Sequence, residues 1–85
     1  MLEDVKKLIE SAELDKTYEL PKNKSYVNFT FFPYNGKYSY KMLKNNNIDF
    51  VPKRYNHNQS SWITLERAKE QLILFLTDNS FIFKV

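Results

Sequence analysis

The chain has no cysteine, a single glycine and a single histidine. Nor does it hold an apolar run approaching the ~20 residues that a membrane-spanning helix requires. Each absence removes a class of answer. Without thiols there are neither disulfides nor thiolate metal sites, and His57 alone cannot assemble a zinc site from imidazoles. The lone Gly36 excludes the phosphate-cradling loops, which need several glycines. Nucleophilic catalysis by serine wants a paired base, yet His57 sits in an asparagine-rich stretch with no signature around a serine. Glu66 and Glu70 share a helix face, but Arg67 and Lys69 beside them favour a solvated, ion-paired surface over a cation site. The expectation is a non-enzymatic protein with no cofactor and no metal.

What the chain does have is aromatic rings. Its 85 residues include seven Phe, six Tyr and one Trp, and such side chains bury ~150 to 250 Å² each. A chain of this length folds as one domain, residues 1–85, burying a little over ~60% of the surface its unfolded form exposes. The start, Met1-Leu2-Glu3-Asp4, is acidic where a secretory leader would be basic, so a soluble cytoplasmic protein is expected. Asn28-Phe29-Thr30 and Asn58-Gln59-Ser60 match the glycosylation sequon, a short pattern that recurs by chance and lacks secretory context here. The abundance of Asn, Lys, Ile, Phe and Tyr fits an AT-rich coding sequence, bacterial or viral.

A net charge of +3 conceals an asymmetry. Residues 1–15 carry two Lys against five acids, residues 16–58 carry eight Lys or Arg against two acids, and residues 59–85 balance. An anionic partner would therefore meet the middle of the chain.

That middle is built around Asn35-Gly36, flanked by two runs of β-branched and aromatic residues from Tyr26 to Leu43. The pair can adopt positive φ at both central positions of a two-residue type I′ turn, which suits the strand twist. The register follows: Tyr34 opposite Lys37, Pro33 opposite Tyr38, Phe31 opposite Tyr40, Phe29 opposite Met42 and Val27 opposite Lys44. Alternation then gives a core face of Val27, Phe29, Phe31, Tyr38, Tyr40 and Met42. The other face carries Asn28, Thr30, Phe32, Tyr34, Lys37, Ser39 and Lys41. Pro33 cannot donate to a ladder, so the first strand sits at an edge there or ends early.

Leu2, Val5, Leu8, Ile9 and Ala12 recur at helical spacing, with Glu3 and Asp4 in the first turn where they favour the positive end of the dipole. Thr17 to Leu20 reads as a short strand stopped by Pro21. A long basic loop, about residues 44–61, follows the hairpin, with Ile48 to Val51 anchoring it as a short strand or tuck. Thr64 is a candidate N-cap for a helix running to about Thr77, with Leu65, Ala68, Leu72, Phe75 and Leu76 as its buried stripe. Ser80 to Val85 alternates like a final strand. The fold expected is α+β, order α-β-β-β-α-β, both helices packed on one face of an antiparallel sheet. The order helix, three strands, helix is also that of double-stranded RNA-binding domains. Eighteen residues between Leu43 and Trp62 replace the tight link of that fold, and Leu65-Glu66-Arg67 lacks its basic cluster, so the likeness is one of topology only.

Phe32 and Tyr34 share a strand face with Lys37 and Lys41, and stacking rings set among cations are how sheet surfaces hold single-stranded nucleic acid. With Lys53, Arg54 and Tyr55 of the long loop they form the candidate surface for nucleic acid or a nucleoprotein complex. The alternative partner is a host protein. The chain would then be an inhibitor or regulator of the phage-encoded type, acting on a host nuclease or defence complex as anti-CRISPR proteins do. Its anchors would be drawn from Tyr18, Tyr26, Tyr34, Tyr55 and Trp62, an aromatic surplus over one small core. A homodimer through the open edge of strand 80–85 is compatible with either.

Overall fold

The turn at Asn35-Gly36 forms as its sequence requires, with φ of 50° at Asn35 and 77° at Gly36. In the computed structural model, which describes residues 2–21, 26–44, 48–50 and 61–78, this turn joins the two longest strands. The elements are α1 (Leu2–Ser11), β1 (Thr17–Glu19), β2 (Tyr26–Tyr34), β3 (Lys37–Lys44), β4 (Ile48–Phe50) and α2 (Leu65–Asp78). The strands make one antiparallel sheet in the order β1-β2-β3-β4, so the class is α+β. Ile48 to Phe50 is thus a true fourth strand, pairing with Leu43 to Lys41. The expected strand at 80–85 lies outside the described residues.

The β2/β3 register is the one set by the turn from Tyr34–Lys37 through Phe29–Met42. Beyond that it slips. Tyr26 pairs with Lys44 and Asn28 with Leu43, leaving Val27 as an extra residue in β2. Such a bulge restarts the alternation, because two residues now oppose one. Tyr26 turns inward to 7% exposure and meets Phe75 edge-on at 5.8 Å. Val27 turns outward, 37% exposed. The expectation that Val27 is core and faces Lys44 is therefore wrong: strict alternation was broken by the bulge, whose Val27 carbonyl accepts the Leu20 N–H at 2.9 Å.

Pro33 keeps its place in the ladder without disturbing it. Counting outward from the turn, Pro33–Tyr38 is a pair without mutual hydrogen bonds, so the missing N–H would have pointed away from β3. β1 has ended by there, since its partners in β2 run only from Asn28 to Thr30. Tyr38 correspondingly uses its outward N–H and carbonyl on Trp62, exchanging two bonds of 2.8 Å. Trp62 thereby lies beside β3 as a one-residue bridge.

One face of the sheet is the core. Phe29, Phe31, Tyr40 and Met42 have no exposed surface, and they cluster with Val5, Ile9 and Ala12 from the α1 end and with Ala68, Leu72, Phe75 and Leu76 of α2. The rings interlock mostly edge to face, Phe29 with Phe31 at 5.6 Å and Phe31 with Tyr40 at 6.0 Å, the geometry that aromatic quadrupoles favour. Two further rings seal this layer: Tyr18 stacks on Phe29 at 5.5 Å, and Trp62 lies nearly parallel to Tyr40 at the same distance. At the start of α2, Thr64 accepts the Arg67 N–H on Oγ1 at 3.1 Å, the N-cap bond that its position predicts. No helix among the described residues is long and apolar enough to cross a membrane.

Candidate functional site

The second sheet face is the one left to chemistry, and its layout follows from the register. Reading away from the turn, the cross-strand pairs are Tyr34 with Lys37, Phe32 with Ser39, Thr30 with Lys41 and Asn28 with Leu43. Both rings therefore stand on β2. Both lysine residues belong to β3.

The small hydroxyl residues form the floor. Ser39 and Thr30 are buried, at 2% and 7% exposure, and Thr30 Oγ1 lies 2.9 Å from Thr17 Oγ1 of β1. Phe32 and Tyr34 rise beside them with centroids 6.4 Å apart and ring planes at 81°. The Lys41 ammonium stands 5.8 Å from the Phe32 centroid, over the ring, where the negative face of the quadrupole attracts it. Phe32 and Lys41 are half-buried, whereas Lys37 is exposed and Tyr34 is 47% exposed. A ring projecting into solvent beside two cations suits a flat, polarisable, anionic ligand.

Of the seven residues expected at the site, the sheet thus brings together Phe32, Tyr34, Lys37 and Lys41. Lys53, Arg54 and Tyr55 lie outside the described residues. Ser39, between the two lysines on β3, belongs to the same face, and alternation alone locates it there. The aromatic surplus is smaller than the composition implies. Tyr26 is in the core, and Tyr18 and Trp62 pack against it, with the Tyr18 hydroxyl also accepting the Glu13 N–H at 2.9 Å. Burial of Tyr26 corrects the expectation that it is a spare anchor, whereas Tyr18 and Trp62 are half-buried.

The helices carry a contrasting surface. Glu10, Glu66, Lys69, Glu70 and Ile73 line a shallow groove of about 280 Å³. Lys69 spans it, donating from Nζ to the Glu10 carbonyl at 2.9 Å near the end of α1. Glu70 pairs with Arg67 at 3.6 Å. Among the described residues no three His, Cys, Asp or Glu side chains are grouped to hold a metal ion.

No family model, curated protein or solved structure matches the chain.

Proposed function

We propose that the protein is a non-catalytic binder that contacts nucleic acid, bare or within a nucleoprotein complex, through the β2/β3 face carrying Phe32, Tyr34, Lys37 and Lys41. Lys53, Arg54 and Tyr55, which lie outside the described residues, remain candidates from the sequence. The observation that carries this reading is the placement of exposed Tyr34 and half-buried Phe32 on one strand beside two lysines of its neighbour. Lysines neutralise phosphates, and a projecting ring offers a π-face to a base. Charge along the chain agrees, the basic excess falling in the segment that supplies this face.

The competing reading, a protein-binding inhibitor, loses one of its anchors, Tyr26, to the core. A pull-down from a bacterial lysate, with and without nuclease, separates the two. Recovery of nucleic acid, with co-purified proteins lost on nuclease treatment, supports the proposal. Retention of one defined protein after nuclease, with no salt-sensitive binding of free oligonucleotides, would replace it with the inhibitor reading.

A further inference from the structure

Of the nine asparagines in the chain, Asn35 is the one followed by glycine. An asparagine carboxamide can close a five-membered ring with the backbone nitrogen of the next residue, and glycine sets no side chain beside that nitrogen. We propose that the hairpin turn is a self-modifying site: within the folded protein, Asn35 and Gly36 condense to a cyclic imide, which water opens to an aspartyl or isoaspartyl residue. The reaction places a carboxylate at the tip of the hairpin, beside Lys37.

Access and conformation both favour the reaction here. Asn35 and Gly36 are exposed, as are Tyr34 and Lys37 on either side, so water and hydroxide reach the site. A Cβ built on Gly36 would meet nothing within 4 Å, so nothing crowds the ring as it forms. Tyr34 and Lys37 pair across the turn and exchange the ladder bonds there, which leaves the Gly36 N–H outside the ladder. A planar imide ring holds the asparagine ψ at roughly −120°, which together with a positive φ is the first central position of a type II′ turn. Asn35 already has φ of 50°. Turning the Asn35–Gly36 peptide plane over takes the type I′ turn to type II′, and the φ that changes sign is that of Gly36, which tolerates either. Both turns close a two-residue hairpin, so the Tyr34–Lys37 pair and the rows behind it keep their register.

Hydroxide removes the Gly36 amide proton, and the nitrogen attacks Asn35 Cγ. The new N–Cγ bond replaces the bond to the side-chain nitrogen, which takes up a proton from water and leaves as ammonia. Water then adds to the imide. Breaking the N–Cγ bond gives aspartate on the original main chain, whereas breaking the bond to the backbone carbonyl carbon gives isoaspartate. Asp-Gly suits the type I′ turn as Asn-Gly does, while isoaspartate lengthens the loop by a methylene. Either product adds a negative charge to a hairpin, residues 26–44, that holds three lysines and no acid.

The test incubates the full chain, folded and without any partner, in mildly alkaline buffer. Samples are digested in acid, and mass spectrometry with chromatography resolves the asparaginyl, aspartyl and isoaspartyl peptides. Conversion should be faster at Asn35 than at any other asparagine, should yield both products, and should accelerate with hydroxide concentration. Asn35→Gln, whose longer side chain would need a six-membered ring, should stay unmodified at that position. Thr64→Ala weakens the fold at a distance from the turn and separates reaction in the folded hairpin from reaction after unfolding. The rate at Asn35 should be the same in that variant as in the wild type. A rate raised roughly fivefold, the change in unfolded population that loss of one cap implies, would show that the whole fold must open first and overturns the proposal. Conversion at Asn35 no faster than at the other asparagines, or seen only after denaturation in urea, overturns it as well.

Discussion

Gly36 holds φ at 77° with nothing within 4 Å of where a Cβ would stand. The requirement there is conformational, and space is not the issue. Gly36→Val should therefore destabilise the fold by about 1–3 kcal/mol, the range for a non-glycine residue held in a left-handed conformation. Chemical denaturation measures it, and an unchanged midpoint would refute the turn's importance. The neighbouring lesson concerns Tyr26 and Val27. Period-two alternation counted from the turn puts Val27 inside, and nothing in a single sequence announces the extra residue that reverses the two. The bulge makes a paired prediction: Tyr26→Ala should cost about 3–5 kcal/mol as a buried ring is lost. Val27→Thr, on the outward side, should stay within about 0.5 kcal/mol. Reversed magnitudes in urea melts would restore the unbroken alternation.

At the scale of elements, what was legible and what was not divides along physical lines. The hairpin, α1 and α2 each carry local signals: a turn pair with positive φ, an apolar stripe at helical spacing, a cap. Those signals act within a few residues, so they survive reading without the partner surfaces. The Thr64 cap is the simplest case, and Thr64→Ala should lower stability by about 1 kcal/mol through loss of the 3.1 Å bond to the Arg67 N–H. Thermal unfolding reports it, and a shift no larger than that of an exposed control well inside the helix, such as Leu74→Ala, would show the cap to be idle. Ile48 to Phe50 was harder, because three residues give too short a pattern to tell a strand from a tuck, and its pairing with Lys41 to Leu43 is decided by tertiary contact. Ring allocation was harder still. Composition counts rings but not where they go, and only the packing shows Trp62 laid on Tyr40 and Tyr18 on Phe29. The candidate face was legible for the reason the hairpin was: once the turn is fixed, so is the side of every residue up to the bulge.

For the molecule as a whole, fold and charge are arranged in the same sense. The apolar face of the sheet packs against helix residues, and the helices bear the groove lined by Glu10, Glu66, Lys69, Glu70 and Ile73. The opposite face bears Lys37 and Lys41 beside exposed Tyr34. On the proposed reading, a polyanion would be steered toward the second, an effect that fades as salt screens it. The central claim, that phosphates are bound by the β3 lysines, is tested most directly by the salt dependence of affinity for a single-stranded oligonucleotide. Wild-type protein is compared with Lys37→Gln, Lys41→Gln and, as a control on the exposed side of α1, Lys7→Gln. The log–log slope should be steep in the wild type and should flatten by about 0.7 for each β3 lysine removed, the value for one single-strand phosphate contact. Lys7→Gln should leave it unchanged. A wild-type affinity indifferent to salt, or a slope flattened as much by Lys7→Gln as by Lys37→Gln, would contradict the account.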